Sequence, residues 1–495
     1  MIPVLAALIV LSLPTLLVKV IAVAIGLGVV VAAARRPQRA LAGLIVLVPF
    51  QAQIFSGIYS LGVPPELVGP LAQWKEIAVV GVLVAGIRRA RREHHHIDRL
   101  DAAGLLYVGL GTLYMLFPNL ILQHTVGSDL DFSTRLLGWR TDVLYIALLL
   151  ACRHLRLSRE VVARLVKIFL TTATVIAAIA FFEFMFPATW NSFMIERLQL
   201  DRYKLEVLHI DPLSDRYLYD VRVYTSVAGS QVLRVGSVML QYYALGFYMV
   251  GAIAVLADRV VRGLLGPRVY VALTLAGGAL LLTQTRSAIL AALVVLFLTL
   301  LRRSGSGQRA ADARMRFSIV LGALVVVAIP AALAMGLVAR FNGKDDVSSN
   351  DGHSTRSSEG YAILVENPLG LGLATSAGAG QRSAVKGYVN TETQYLEIGV
   401  QLGVAGLVLW LATVIGTIVA LGRAVARAPN GFDTGLATAT RSALIGLFAA
   451  GVVFQTYIDF SVCWSIWPLA GLALGMTETA KFADASGGEL VHPAG

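Results

Sequence analysis

Charged residues are scarce in this sequence. Of its 495 residues, 14% are Asp, Glu, Lys or Arg, whereas 57% are hydrophobic. With a mean hydropathy of +0.72, the chain has more apolar surface than a soluble protein of this length can bury. The composition therefore excludes a soluble globular protein and predicts an all-α polytopic membrane protein.

Several chemical signatures are missing as well. The two cysteines, Cys152 and Cys463, have no metal-type spacing, which predicts small buried side chains. The tract 94–96 (HHH) lies in an Arg-rich turn without a second ligand cluster, so we expect it to be solvated. There is no Gly-rich nucleotide loop and no paired acidic metal motif. We therefore predict no metal and no cofactor.

The net charge of +11 does not indicate a nucleic-acid partner, because the basic residues form short clusters between apolar runs. Consecutive clusters are separated by enough apolar sequence for two crossings of about 20 residues each. All clusters then lie on one side of the membrane, the cytoplasmic side. We predict about 13–14 transmembrane helices, with one or two spans in the N-terminal apolar stretch. The clusters lie within residues 35–39, 88–92, 153–159, 259–268, 302–316 and 423–441.

Two long polar connections, about 188–233 and 340–393, are expected on the outer side. The second contains SSEGYAILVENPLG (357–370), which predicts a short helix stopped by Pro368 and a Gly-rich turn. We assign residues 1–480 to a single transmembrane domain and 481–495 to a disordered cytoplasmic tail.

The apolar run from Val269 to Leu301 is too long for one span. As a single helix it would measure about 50 Å, against about 30 Å of hydrocarbon. We predict that it folds back at TQTRSA (283–288), which places Arg286 at the outer mouth of a hairpin.

Outer-side arginines are the first candidates for chemistry. Arg234 begins the span after the first long loop, Arg286 lies at the hairpin mouth, and Arg135 and Arg140 begin another span. Each alone could reach lipid phosphates or pair with a carboxylate. Together they favour an anionic ligand, because a guanidinium group binds pyrophosphate with two hydrogen bonds.

Glu392 is the second candidate. It precedes an apolar helix, so it could cap that helix or act as a general base toward a sugar hydroxyl. Tyr395, one turn further on, shares its face. Gln241, His353 and Arg356 complete the candidate substrate-binding residues, although a histidine in a loop is usually only solvated.

Four motifs in chain order resemble the O-antigen ligase and polysaccharide polymerase (Wzy-type, WaaL-like) superfamily. The resemblance covers roughly residues 230–410; the first 200 residues are similar only in hydropathy. The motifs are RVGS from Arg234, TQTRSA around Arg286, ENPLGLGLATS in the second long loop, and ETQYLEIGVQLGVAGL from Glu392.

The resemblance implies a metal-independent glycosyltransferase of the GT-C type in the bacterial cytoplasmic membrane, with an outward-facing active site. Its donor would be a glycan on undecaprenyl pyrophosphate, held by Arg234 and Arg286. A chain-length regulator is an expected partner besides the lipid substrate and membrane lipids.

Glu392 and Thr393 stand where the ligases usually carry histidine and asparagine, which favours a polymerase over a ligase. A transporter of lipid-linked sugar is a third hypothesis, and an assembly or scaffold role is a fourth. The charges gathered at one rim favour an enzyme over a transporter.

Overall fold

Helices make up almost all of the regular structure. The computed structural model describes residues 24, 26–93, 97–122, 125–210, 218–227, 230–264, 266–301, 347–376, 385, 387–427, 431–457 and 459–485. Its helices are α1 Gly26–Arg35, α2 Pro37–Leu47, α3 Gln51–Ser60, α4 Pro65–Ala72, α5 Trp74–Arg92, α6 Arg99–Leu116, α7 Pro118–Ile121, α8 Phe132–Asp142, α9 Leu144–Leu155, α10 Arg159–Met185, α11 Pro187–Ser192, α12 Leu200–Arg202, α13 Tyr242–Val261, α14 Pro267–Leu282, α15 Arg286–Leu301, α16 Val347–Glu366, α17 Gln394–Arg427, α18 Phe432–Ala450 and α19 Phe460–Ala485.

Among the described residues, five helical stretches are long and apolar enough to cross a membrane: Pro65–Arg92, α10, α13, most of α17, and the first part of α19. The pair α2 and α3, bent by 77°, is a sixth candidate, and α1, α9, α14 and α15 are shorter apolar helices. The predicted all-α, multi-span membrane protein is confirmed. The count of 13–14 spans stays a prediction, because the described residues omit 302–346 and most of the first 25.

The predicted break in the run from Val269 to Leu301 is present. Helix α14 ends at Leu282 and α15 begins at Arg286. Between them Gln284 has a left-handed φ of +52°, and the Thr283 hydroxyl accepts a hydrogen bond from the Thr285 N–H at 3.2 Å. Both helices pack against α13.

Basic clusters from several predicted cytoplasmic turns meet at one end of the bundle. Arg153, buried at the end of α9, binds Asp98 at 2.5 Å, Asp101 at 2.9 Å and Glu478 at 2.6 Å. Nearby, Arg156 pairs with Glu93, Arg159 with Asp433, and Arg262 donates to the carbonyl of Gly431. These contacts tie together the ends of α5, α9, α13 and α19 and the starts of α6, α10 and α18.

The first long connection is folded. After α10 come α11, α12 and two π-helical segments, Phe193–Arg197 and Tyr203–Val207. An antiparallel hairpin of β1 Val223–Val227 and β2 Ser230–Arg234 follows. Residues 211–217 lie outside the described part.

The second long connection packs against α17. As predicted, α16 stops just before Pro368, and Gly370 and Gly372 have positive φ. The turn docks where α17 is kinked at Gly403: the Val404 N–H donates to the Pro368 carbonyl at 2.9 Å. A Cβ on Gly370 would lie only 2.6 Å from the Gly403 nitrogen, so the close approach requires glycine.

Helix α19 continues to Ala485, five residues past the domain boundary that we predict at residue 480. Residues 486–495 lie outside the described part. Both cysteines are buried and unbridged, as predicted.

Candidate active site

Arg234 and the TQTR turn, 50 residues apart in the chain, lie against each other. The Arg234 Nε donates to the Thr283 carbonyl at 3.2 Å, and its Nη2 donates to the Gln284 carbonyl at 3.3 Å. The same Nη2 lies 3.5 Å from the Thr285 hydroxyl. Arg286 follows at once as the first residue of α15. The structure thus brings two of the three predicted catalytic residues to one turn.

An aromatic ring and the backbone fix this arrangement. The Arg234 guanidinium carbon lies 3.3 Å from the centroid of the Tyr242 ring, a cation–π contact. The Val235 N–H donates to the Leu282 carbonyl at 3.2 Å, and the Gln284 side chain donates to the Leu233 carbonyl at 3.3 Å. We call Arg234, Tyr242 and residues 283–286 the arginine centre. Its oriented guanidinium group suits an anionic ligand.

Glu392 forms an ion pair with Arg356 of α16. The glutamate side chain is 12% exposed and that of Arg356 48% exposed, so the carboxylate is the more enclosed partner. The pairing follows from the packing of α16 on α17, in which Gly360 faces Leu396 and Thr391. Burial, together with the negative charge of Glu392, raises the pKa of nearby Tyr388 to about 12, so its hydroxyl keeps its proton at neutral pH.

The N-cap of α17 is Thr393 and not Glu392. The Thr393 hydroxyl accepts from the Leu396 N–H at 3.2 Å, and its carbonyl accepts from the Glu397 N–H at 3.0 Å. Threonine is a strong N-cap residue. Thr393 therefore caps α17, and the Glu392 carboxylate pairs with Arg356.

A series of contacts and chain neighbours links the arginine centre to Glu392. The Tyr242 ring lies 5.4 Å from Tyr243, which lies 5.2 Å from Phe454. The next residue, Gln455, donates from its side chain to the carbonyl of Thr391, immediately before Glu392. The arginine centre and the Glu392–Arg356 pair therefore lie at the same end of the bundle, where α13, α15 and α17 begin.

Two other predicted residues have structural partners. The Tyr395 hydroxyl donates to the Phe448 carbonyl at 2.6 Å, and its ring packs on Trp410 and Phe448. Arg140 pairs with Glu76 at 2.7 Å and lies over the Phe460 ring.

The remaining predicted residues are not brought into contact with either centre by the described interactions. Gln241 is half-buried at the N-cap of α13, next to Tyr242. Arg135 lies in α8, and its Nε is buried without a hydrogen-bond partner among the described residues. His353 is in α16, but its side chain lies outside the described part, as do residues 94–96.

Sequence reasoning missed two residues that shape the arginine centre. Tyr242, which stacks on Arg234, is one of two adjacent tyrosines with nothing to distinguish it in the sequence. Glu183 was detectable, since it follows 15 uncharged residues of α10 and an ionisable residue in an apolar span is a functional candidate by default. The structure buries Glu183 beneath the loop that follows Arg234.

The fold, the arginine centre and the Glu392–Arg356 pair define a multi-span helical membrane protein with arginines and a carboxylate at one end of its helices. Residues 271–411 match the family described as O-antigen ligase, which confirms the resemblance to the O-antigen ligase and polymerase superfamily. The matched segment contains Arg286, Arg356 and Glu392 and begins after Arg234. The match supports a glycosyltransferase-like, O-antigen ligase or polymerase type of function. No curated protein matches the chain.

Proposed function

We propose that this protein is a polysaccharide polymerase. It transfers a glycan from undecaprenyl pyrophosphate onto the growing end of a second lipid-linked glycan, at the outer face of the bacterial cytoplasmic membrane. The observation that carries the proposal is the arginine centre, where the Arg234 guanidinium is held against the turn that presents Arg286.

The arginines act on the leaving group. As the bond between the anomeric carbon and the diphosphate oxygen breaks, negative charge develops on the diphosphate. The Arg234 guanidinium, already oriented by carbonyls and by Tyr242, stabilises that charge without reorganising during the reaction, and Arg286 adds a second positive charge.

Glu392 acts on the acceptor. A hydroxyl of the acceptor sugar forms the new bond to the anomeric carbon, and its proton passes to the Glu392 carboxylate. Arg356 orients that carboxylate. The proton then leaves to solvent when the product dissociates.

A ligase of the same superfamily is the second candidate, because the match is described as O-antigen ligase. Glutamate at position 392, where the resemblance leads us to expect histidine in ligases, favours the polymerase.

The test is incubation of purified protein with a single lipid-pyrophosphate oligosaccharide, followed by gel analysis of the glycans. A ladder of longer glycans supports the polymerase. Product formed only with a different acceptor lipid would make the protein a ligase. Movement of the substrate across liposomes without new bonds would make it a transporter.

A further inference from the structure

We propose that Glu183 is a positioning residue that sets the location of Arg234 for the diphosphate of the donor. This inference rests on the proposed function, since it assigns Arg234 to the donor.

Glu183 lies near the end of α10 and is 2% exposed. Its carboxylate accepts hydrogen bonds from two consecutive backbone N–H groups, that of Ser237 at 2.5 Å and that of Gly236 at 3.5 Å. A carboxylate in this apolar environment is costly unless it is hydrogen-bonded, and here each of its two oxygens accepts a backbone N–H.

The segment that Glu183 holds is a tight turn. Ser237 and Leu240 have φ values of +52° and +63°, which L residues adopt only at an energetic cost. A Cβ on Gly236 would lie 2.7 Å from the Leu240 carbonyl carbon. Such a turn keeps its shape only while the surrounding contacts hold it.

Two further contacts fix the turn. The Ser237 hydroxyl donates to the Ile176 carbonyl, two turns earlier in α10, at 2.9 Å. The Gln53 side chain donates to the Val238 carbonyl at 2.8 Å. Glu183 supplies the acceptors for the N–H groups of Gly236 and Ser237, two and three residues after Arg234.

The turn determines where Arg234 lies because it connects both sides of the cation–π contact. Arg234 ends β2 on one side of the turn, and Tyr242 begins α13 on the other, with 3.3 Å between guanidinium carbon and ring centroid. Without the Glu183 carboxylate, only the Ser237 hydroxyl, among the described hydrogen bonds, still ties the turn to α10. We expect Arg234 then to shift relative to Tyr242 and the 283–285 turn. Binding groups must be held within about 0.5 Å of their productive positions, so such a shift weakens recognition.

The test measures equilibrium binding of undecaprenyl diphosphate to detergent-purified protein. Glu183→Gln keeps the side-chain volume but replaces one acceptor oxygen with an NH2 group, which faces a backbone N–H. We expect binding at least about tenfold weaker. Glu160→Gln is the matched control: the same change on the same helix, at an exposed position far along the chain from the turn. It should bind like wild type.

A double-variant cycle separates positioning from general destabilisation. Because Glu183 acts through Arg234, Glu183→Gln should cause no further loss of binding in an Arg234→Ala background. Full additivity of the two losses would overturn the inference. If Glu183→Gln does not fold, Glu183→Asp, which keeps the charge but withdraws the carboxylate, is expected to show the same weakening, and wild-type binding by it would overturn the inference.

The two proposals fail differently. If Arg234→Ala binds undecaprenyl diphosphate like wild type, the proposed role of Arg234 is wrong, whatever Glu183 does. If Arg234→Ala binds weakly but Glu183→Gln binds like wild type, only the positioning role is wrong.

Discussion

Replacing Arg234 by lysine tests whether the shape of the guanidinium group matters as well as its charge. Lysine keeps the positive charge but loses the planar fork and the stacking on Tyr242. The hydrogen bonds lost to the turn are long, 3.2–3.5 Å, so we assign them together about 1.5 kcal/mol, the low end for bonds to a charged group. The cation–π contact adds about 0.5 kcal/mol. These contacts orient the side chain before the donor binds. If the lysine must instead be ordered on binding, the sum of about 2 kcal/mol corresponds to a loss of about 30-fold in kcat/KM.

The assay is kcat/KM for the lipid-pyrophosphate donor in glycan extension, with thermal stability measured in parallel. Arg222→Lys is the control, because Arg222 lies in the same connection and pairs locally with Asp220 at 2.7 Å. We expect Arg222→Lys to behave like wild type. Wild-type kcat/KM in Arg234→Lys would refute the reasoning, since charge alone would then suffice.

Three further variants examine other parts of the account. Glu392→Gln should lower turnover by at least about 100-fold if the carboxylate is the base. Glu359→Gln, a substitution at an exposed position of α16, should leave turnover unchanged. Near-normal turnover in Glu392→Gln would show that Glu392 is not the base. Thr393→Ala should lower the free energy of unfolding by about 1 kcal/mol through loss of the α17 cap while extension is retained, and an unchanged melting temperature would argue against the cap. Arg153→Ala removes the arginine partner of the buried Asp101 and should cost about 3–5 kcal/mol of stability; size-exclusion profiles in detergent identical to wild type would contradict that role.

The break at residues 283–285 was predictable because the apolar run, as a single helix, would be longer than the hydrocarbon core is thick. The end of α16 before Pro368 was predictable for a similarly local reason, since the residue before proline disfavours helical geometry. The N-cap at Thr393 was also within reach, because threonine is a better cap than glutamate.

Other features depend on packing between distant segments. Arg356 meets Glu392 only because α16 lies along α17, and Arg234 meets Thr283 only because β2 ends at the break between α14 and α15. The motif resemblance placed Arg234 and Arg286 in one site, but the residues alone did not. Neither the anchoring of the turn by Glu183 nor the stacking of Tyr242 on Arg234 leaves a pairwise signal in a single sequence.

The most direct test of the central claim, that the arginine centre holds the diphosphate of a glycan donor, is extension of one lipid-pyrophosphate oligosaccharide by purified Arg286→Ala. Arg268→Ala, an exposed arginine in the first turn of α14, is the control. The account predicts that Arg286→Ala is folded but forms no ladder, while Arg268→Ala extends the glycan like wild type. Extension by Arg286→Ala at the wild-type rate would contradict it.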